Sequence, residues 1–218
     1  MKVLELFSGT GSVGKVCKKL GWEVISLDKV KSNNPDICTD ILDWNNPYKE
    51  GDFDIIWSSP PCHSFSQLRK CWIGRKTKYF GDKIITRAMI DEDIEKSGLP
   101  ILYTTMNLIA ELNPKYWFIE NPYTSDMKKY IDIQPYTVDY CMYSNWGYKK
   151  KTNIWSNLEG FTPLLCNKKC GNMINDKFHK VNLGNQDRAG GGQVMGTTTK
   201  DRYRIPEKLI FDLFKLVE

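Results

Sequence analysis

The stretch LFSGTGSVG, residues 6–14, decides the fold because it joins a short apolar strand to a helix through a glycine-rich loop. Three of its residues, Gly9, Gly11 and Gly14, stand in a GxGxxG arrangement. KVLELF reads as the strand before the loop, and the apolar spacing predicts a helix over 13–20 that ends near Gly21. The backbone amides of such a loop, together with a helix N-terminus, can approach a ligand closely.

Strand and helix patterns alternate beyond this loop. Further strands are predicted at WEVISLD, DICTD, FDIIWSS and KYWFIEN, and LPILYTTMNLIAEL has the apolar face of a helix. YTVDYCMY and KTNIWSN are predicted to follow as two strands without a helix between them. We therefore expect an α/β fold of the doubly wound, Rossmann-like kind, with a mixed sheet that ends in an antiparallel hairpin and a ligand at the carboxyl ends of its strands.

Composition bounds the class of protein. The 218 residues are 41% apolar and 26% charged, which is enough for one full core. We see neither a run of about 18 apolar residues nor the apolar region of a signal peptide at the start, so we expect an intracellular protein without a membrane span. The seven cysteines are scattered and odd in number, which argues against a secreted disulfide framework.

Asp28 ends the second predicted strand, nineteen residues after Gly9. An acid at this place can accept hydrogen bonds from ribose hydroxyls. A nicotinamide cofactor and S-adenosylmethionine both carry such a ribose, so the glycine loop and Asp28 leave these two cofactors open. A glycine-rich turn that binds no ligand is the third reading.

Two further strand ends carry reactive side chains. Cys62 follows the fourth strand in SSPPC, and Glu120 with Asn121 ends the fifth strand in FIENP. Alone, Cys62 is more often a packing residue and Glu120 a surface acid. Together at neighbouring strand ends they predict a thiol nucleophile beside a carboxyl group, and we expect a helix after the SSPPC turn to lower the pKa of the thiol.

These motifs resemble, in order and at similar spacing, those of cytosine-C5 DNA methyltransferases. The resemblance rests on LELFSGTGSVG, SSPPCHSFS, FIENP and GYKKKTNIW, and it covers the chain to about residue 157. Within that family the chain is similar to the compact methylases of phages and large viruses. The resemblance implies an enzyme that acts in the cytoplasm or nucleus of a host cell.

The resemblance implies a role for each matching residue. Cys62 would attack C6 of a cytosine flipped out of double-stranded DNA, and Glu120 would hydrogen-bond the base while Asn121 shapes the site. Lys151 and Asn153 would follow in the hairpin motif, where the family usually carries two arginines. S-adenosylmethionine would contact the glycine loop, two further strand ends and the proline turn: Phe7, Ser8, Gly9, Thr10, Gly11, Ser12, Asp28, Lys29, Asp40, Ile41 and Pro60.

The chain departs from the family in two places. Asn153 replaces a forked cation with a neutral amide, which puts contact with the carbonyl oxygen of the base in doubt. Family members also carry a substantial target-recognition domain, for which only about 45 residues are present here. We expect a catalytic domain over 1–157, a small loop-rich or zinc-stapled unit over 158–200, and a terminal helix over 201–218 that returns to the core.

Two clusters lie outside the family motifs. Residues 69–87 contain seven basic residues and one acid, interleaved with aromatic residues, which is typical either of a DNA-contacting loop or of a solvated one. Cys166, Cys170 and His179 have spacings compatible with structural zinc, and Cys141 could join them; free thiols in a loop-rich region are the alternative. The seven basic residues of the segment 69–87 are Arg69, Lys70, Arg75, Lys76, Lys78, Lys83 and Arg87.

The sequence thus predicts a monomeric DNA (cytosine-5)-methyltransferase that uses S-adenosylmethionine. A transfer-RNA methyltransferase with the same residues stays open, because the fold does not distinguish the sugar. A nucleic-acid-binding protein that has lost catalysis is a further alternative. A nicotinamide oxidoreductase would need a hydride-transfer site, and the motifs contain none.

Overall fold

A computed structural model of the protein describes residues 1–184 and 195–217. Within that part of the chain, seven strands form one sheet in the order β3-β2-β1-β4-β5-β7-β6. The strands are β1 Lys2–Leu6, β2 Glu23–Asp28, β3 Ile37–Cys38, β4 Ile55–Ser58, β5 Tyr116–Pro122, β6 Tyr136–Asp139 and β7 Lys151–Ser156. Strands β1 to β5 are parallel, and β7 pairs antiparallel with both β5 and β6. This arrangement confirms the predicted mixed sheet with an antiparallel end.

Helices cover both faces of the sheet. The described helices are α1 Ser12–Lys19, α2 Arg87–Asp93, α3 Leu99–Leu112, α4 Thr199–Tyr203 and α5 Glu207–Phe214, and a π-helical turn, Ile94–Gly98, joins α2 to α3. Helices α1 and α5 pack with Val3, Trp57 and Phe118 in one core cluster. Helix α3 packs on the other face, where Leu108 and Leu112 join Leu4, Leu6 and Ile56. We call these two sides the α1–α5 face and the α3 face.

Helix α1 begins directly after the glycine loop and is capped from the strand beneath it. Gly11 adopts a left-handed conformation (φ 64°) at the N-cap position, and its residue type offers no side-chain cap. The Glu5 carboxylate accepts hydrogen bonds from Val13 N (3.1 Å) and Gly14 N (2.9 Å) instead. A Cβ atom on Gly14 would lie 2.9 Å from Glu5 Oε2, which explains the glycine at that position.

Several sequence expectations need adjustment. The strand predicted at DICTD is only two residues long, Ile37–Cys38. The residues after Cys62 form turns and the 3-10 helix Gln67–Trp72, and the next α-helix begins at Arg87, so the expected helix behind the thiol is wrong. The spacing of Leu209, Ile210, Leu213 and Leu216 predicts the apolar face of the terminal helix; the first three are buried, whereas Leu216 lies beyond the end of α5 and is exposed.

Residues 157–184 contain little regular structure. Strand β8, Val181–Asn182, pairs in parallel with β9, Met195–Gly196, to form a separate two-stranded sheet. Part of the predicted unit over 158–200 lies outside the described residues, namely 185–194. Among the described helices, none is long and apolar enough to cross a membrane.

Candidate active site

The strand order places a crevice between β1 and β4. The chain runs from β1 outward to β2 and β3, and then returns to the other side of β1 as β4. Ligands of doubly wound sheets bind outside the carboxyl ends of the strands at such a reversal. The glycine loop follows β1 and the proline–cysteine turn follows β4, so the two motifs meet at this crevice.

The glycine loop has the tight geometry that its sequence indicates. Phe7 (φ 58°), Gly9 (φ 49°) and Gly11 (φ 64°) all have positive φ angles. Asp28 fastens the loop to β2, because its Oδ2 accepts a hydrogen bond from Gly9 N (2.8 Å) and its Oδ1 accepts one from Val30 N (2.7 Å). A Cβ atom on Gly11 would meet no atom within 4 Å, so the loop leaves open space beside its backbone.

The C-terminal segment closes the far side of the loop. Ile205 N donates a hydrogen bond to Ser12 Oγ (3.1 Å), and Ser12 Oγ also lies 2.9 Å from Thr10 Oγ1. Ser8 is mostly buried, and its carbonyl oxygen accepts from Gly11 N (2.7 Å). The segment RYRIPEKLI, residues 202–210, therefore contacts the glycine loop through Ile205.

The remaining predicted cofactor residues line the rim beyond β2 and β3. Lys29 Nζ lies 3.3 Å from Asp40 Oδ2, and Asp40 Oδ1 accepts from Leu42 N (3.1 Å). Ile41 is buried with Leu4, Leu6 and Leu27. Asp40 is thus a polar group just after β3, whereas Ile41 is part of the core cluster.

Asn121 holds the proline–cysteine turn in place. Its Nδ2 donates a hydrogen bond to the carbonyl oxygen of Pro60 (2.8 Å), and its side chain is buried on the α3 face. Strands β4 and β5 are hydrogen-bonded neighbours, with Ser58 opposite Ile119. The turn that carries Cys62 and the strand end that carries Glu120 are consequently tied together by both backbone and side chain.

Glu120 points to the α1–α5 face, where two side chains contact it. Tyr140 Oη donates a hydrogen bond to Glu120 Oε1 (2.9 Å), and Lys150 Nζ lies 3.4 Å from the same oxygen. The Lys150 ammonium also sits 4.8 Å from the centre of the Tyr140 ring. In the described part of the chain both contacts end on Oε1, which leaves Oε2 for a substrate.

Lys150 was not among the predicted site residues, whereas Lys151 and Asn153 were. Lys151 Nζ lies over the ring of Tyr123 (4.9 Å), and Asn153 Oδ1 accepts a hydrogen bond from Thr137 Oγ1 (2.9 Å). Successive residues of a strand point to opposite faces, so Asn153, which pairs with Asn121, faces away from Glu120. The structure therefore brings Lys150 to Glu120 and keeps Lys151 and Asn153 away from it.

The electrostatics of Cys62 differ from the expectation of a lowered pKa. Burial raises the pKa of the Cys62 thiol, the Lys150 ammonium opposes that effect, and the Glu120 carboxylate adds to it. Arg202 of α4 lowers the pKa more weakly. Burial outweighs the two cations, so the pKa of the thiol lies above its ordinary value and not below it as expected.

The basic segment 69–87 divides into buried and exposed residues. Arg69 is 1% exposed and is paired with Asp93 Oδ2 (2.7 Å) and the Ser64 carbonyl oxygen (2.7 Å), so it is not the DNA contact that its sequence context suggested. Lys70 is paired with Asp126 (3.2 Å). Four basic side chains of the segment are exposed, and the structure describes no ion pair for them: Arg75, Lys76, Lys78 and Lys83.

A second cluster lies behind Tyr140. Cys141, Cys166, Cys170 and His179 place their sulfur and nitrogen atoms within 4.8 Å of one another. Cys166 Sγ lies 3.5 Å from Cys170 Sγ and 3.6 Å from His179 Nε2, and Cys170 Sγ lies 3.3 Å from that nitrogen. The three predicted ligands are therefore together, and the structure adds Cys141 as the fourth.

Comparison with known sequences finds one strong similarity. No protein-family model matches the chain. A relative from frog virus 3 (isolate Goorha) is 42% identical over 223 residues, which span 99% of this chain and 100% of the relative. That relative is described as a probable DNA (cytosine-5)-methyltransferase.

Solved structures give more distant similarities. A DNA modification methyltransferase encoded within an E. coli prophage has a TM-score of 0.46 at 16% identity, over 72% of this chain. The Dnmt2 methyltransferase of S. pombe has a TM-score of 0.42 at 16% identity, over 75% of this chain. The matches cover 46% and 52% of those two proteins, so the chain corresponds to about half of their length.

Proposed function

Because the chain belongs to the DNA (cytosine-5)-methyltransferase family, we propose that it methylates C5 of a flipped-out cytosine in double-stranded DNA through a covalent bond between Cys62 and C6. The observation that supports this proposal best is that Cys62 lies on the turn after β4 and Glu120 near the end of β5, the strand hydrogen-bonded to β4, close enough for the Glu120 charge to act on the thiol. Cytosine C5 is a poor nucleophile on its own. Addition of a thiolate at C6 makes C5 electron-rich, which divides one difficult step into easier ones.

Glu120 recognises and polarises the base. One carboxylate oxygen is held by Tyr140 and Lys150, and the other oxygen is left to contact the ring nitrogen or exocyclic amine of cytosine. Electron density that the thiolate adds at C6 spreads over the ring, where a hydrogen bond to Glu120 stabilises it. C5 then takes the methyl group, solvent water removes the C5 proton, and the C6–Sγ bond breaks as the C5–C6 double bond forms again, which releases the methylated base and the Cys62 thiolate.

Lys150 has two functions in this scheme. Its ammonium lies 3.4 Å from Glu120 Oε1 and lowers the pKa of Cys62 against the effect of burial. The thiol proton has to leave before Cys62 Sγ can add to C6, and solvent water takes it up.

The residues at the crevice fit S-adenosylmethionine. The open side of Gly11 admits a ligand close to the backbone, the Asp28 carboxylate lies at the end of β2 for ribose hydroxyls, and Asp40 with Ile41 forms a polar and apolar edge for adenine. Pro60 lies between this crevice and Cys62. When bound, S-adenosylmethionine supplies the methyl group from its sulfonium to C5 of the base.

DNA contacts come from the exposed lysines and arginine of the basic segment. Arg75, Lys76, Lys78 and Lys83 follow Cys62 closely in the chain and are available for phosphate oxygens. Extrusion of the target base costs a few kcal/mol of lost stacking, which phosphate contacts offset. The division at residues 157 and 200, a monomeric state and a location in the cytoplasm or nucleus of a host cell stay predictions.

The decisive experiment supplies labelled S-adenosylmethionine with DNA and with transfer RNA in separate reactions, followed by digestion and identification of the methylated base. We expect 5-methylcytosine in DNA, and we expect a covalent adduct with 5-fluorocytosine DNA that maps to Cys62 and is absent in Cys62→Ala. Cys71→Ala is the matched control, because Cys71 is an exposed cysteine of the same region. Label on adenine, on cytosine N4 or only in transfer RNA would contradict the proposal.

We also propose that the four-residue cluster binds a structural zinc ion. Zn–S bonds of about 2.3 Å and Zn–N bonds of about 2.0–2.1 Å place the ligand atoms of a tetrahedral site roughly 3.6–3.8 Å apart. The distances among Cys166, Cys170 and His179, 3.3 to 3.6 Å, come close to those values, and with Cys141 included all four ligand atoms lie within 4.8 Å of one another. Three thiolates and one imidazole form an accepted ligand set for structural zinc.

Metal analysis of the purified protein tests the zinc proposal. We expect about one equivalent of zinc, and we expect cobalt substitution to give the intense visible bands of a tetrahedral thiolate site. Cys170→Ser should lose the metal and Cys38→Ser, which changes an exposed cysteine far from the cluster, should keep it. Less than a tenth of an equivalent of zinc in freshly purified protein would contradict it.

A further inference from the structure

The zinc ligand Cys141 is adjacent in the chain to Tyr140, which contacts the catalytic carboxylate. Both residues lie in one 3-10 turn, Tyr140–Met142, and both side chains are buried. Tyr140 Oη reaches Glu120 Oε1 at 2.9 Å, while Cys141 Sγ belongs to the metal cluster. A single short turn therefore links the proposed zinc site to the active site.

Further hydrogen bonds attach the cluster region to both ends of this connection. Asn172, which is buried, donates from Nδ2 to the carbonyl oxygens of Cys141 (2.8 Å) and Ser144 (2.8 Å), and its Oδ1 accepts from Gly147 N (3.0 Å). Asp139 Oδ2 accepts from Cys166 N (2.7 Å). The backbone from Asp139 to Gly147 is thus held against the residues that supply the other three ligands.

The two partners of Glu120 lie at the two ends of this segment. Tyr140 is its second residue, and Lys150 follows three residues after Gly147, directly before β7. Tyr140 N donates to the carbonyl oxygen of Lys150 (3.0 Å), so the two partners are also joined through their backbones. Displacement of the turn would move the hydroxyl and the ammonium away from Glu120 together.

The cofactor crevice is joined to this turn only indirectly in the described residues, where Tyr148 Oη donates to the carbonyl oxygen of Asp201 (2.6 Å) and the Arg204 guanidinium lies over the Trp146 ring (3.9 Å). The glycine loop is fastened by Asp28, Glu5 and Ile205, and the proline turn by Asn121. None of these contacts uses the cluster or the turn Tyr140–Met142. Loss of the metal should therefore leave cofactor binding intact while it disturbs the pocket for the base.

We propose that the zinc site positions the catalytic carboxylate: the bound metal fixes Tyr140, and with it Lys150, against Glu120, so that metal occupancy controls engagement of the target cytosine but not of the cofactor. Tyr140 is then a positioning residue. This inference rests on the proposed methyltransferase function. A hydrogen bond to a charged group has a net value that corresponds to roughly 10- to 100-fold in an equilibrium or rate constant.

The test measures kcat/KM for DNA and the Kd for S-adenosylmethionine in four proteins: wild type, metal-stripped wild type, Tyr140→Phe and Cys170→Ser. We expect the last three to lose about 10- to 100-fold in kcat/KM for DNA, with the cofactor Kd unchanged within about twofold. Added zinc should restore the stripped protein but not Tyr140→Phe, which should retain its metal. A fifth protein, the double variant Tyr140→Phe/Cys170→Ser, should have a kcat/KM for DNA only slightly below that of Cys170→Ser, because both changes break the same connection between the metal and Glu120.

Three outcomes would overturn the inference. They are full activity of the metal-stripped protein, a loss of cofactor affinity as large as the loss of kcat/KM for DNA, and a loss of kcat/KM in the double variant that equals the product of the losses in the two single variants. Cys71→Ser provides the control for a cysteine change outside the cluster. If untreated wild type forms no adduct with 5-fluorocytosine DNA, the proposed function itself is wrong. If wild type is active and removal of the metal leaves that activity unchanged, only the positioning role of the metal is wrong.

Discussion

At the scale of single residues, the chemistry depends on which side of the sheet each side chain occupies. Glu120 faces α1 and α5 and receives Tyr140 and Lys150, whereas Asn121 faces α3 and holds the carbonyl oxygen of Pro60. Two adjacent residues of β5 therefore have different roles: Glu120 recognises the substrate, and Asn121 holds the proline–cysteine turn that carries Cys62. A shift of one position in β5 would exchange these roles and abolish both.

Lys150 and Lys151 provide a matched pair of substitutions. We expect Lys150→Ala to lower kcat/KM for methylation by roughly 10- to 100-fold, because an ammonium within 3.4 Å of Glu120 Oε1 is lost. Lys151→Ala should change kcat/KM by less than about fivefold and act through DNA affinity, since Lys151 contacts Tyr123. Steady-state kinetics at saturating cofactor distinguish the two variants. Equal losses of kcat in Lys150→Ala and Lys151→Ala would contradict the placement of Lys150, and not Lys151, at the active site.

At the scale of elements, the contacts of helices and strands explain which parts of the fold and of the candidate active site could be predicted from the sequence. The fourteen residues of α3 have a regular apolar pattern, so their helix was predictable. Three consecutive lysines, 149–151, look alike in the sequence, and the choice among them depends on where β7 begins. Arg69 resembled its basic neighbours because its partner Asp93 lies 24 positions away. Cys141 likewise stands 25 positions before the next ligand.

The junction of β1 with α1 depends on pH through Glu5. Burial raises the pKa of Glu5 from 4.5 to about 7, although the N–H groups of Gly14 and Val13 oppose the shift. A carboxyl whose folded pKa is raised holds its proton longer in the folded state. The free energy of unfolding should consequently fall, by about 3 kcal/mol, as the pH rises from 4.5 to 7.

Urea unfolding between pH 5 and pH 8 tests this contribution of Glu5. Glu5→Gln cannot ionise, so its free energy of unfolding should lack the part of the pH dependence that Glu5 contributes. Glu159→Gln, a change at an exposed position, should follow the wild type. An unchanged pH dependence in Glu5→Gln would show that Glu5 does not titrate in this range.

At the scale of the whole molecule, net charge and its distribution determine how DNA is approached. The chain carries a formal net charge of +5, and exposed cations follow the nucleophile in the segment after Cys62. Electrostatic attraction between these cations and the phosphates of DNA acts over a distance of about 10 Å at 0.1 M salt and weakens as salt is added. Affinity for DNA should therefore depend steeply on ionic strength.

Substitution of Lys76 and Lys78 by glutamine should reduce that dependence. If each lysine neutralises one phosphate of duplex DNA, the slope of log K against log salt should become shallower by about 0.9 for each residue. Lys215→Gln, which changes an exposed lysine at the end of α5, should leave the slope unchanged. Fluorescence anisotropy with labelled duplexes at several salt concentrations measures the slopes, and equal slopes in all variants would exclude a phosphate contact.

The hydrogen bonding of β4 to β5 has a consequence for how such a protein can diversify. Cys62 and Glu120 are 58 positions apart in the chain, yet β4, which leads into the turn with Cys62, and β5, which carries Glu120, are separated by one inter-strand spacing of about 4.8 Å. The intervening segment leaves the sheet and returns, so its length has no influence on the distance between the two reactive groups. Evolution or an engineer can thus rebuild the part that meets DNA while the reaction centre stays intact.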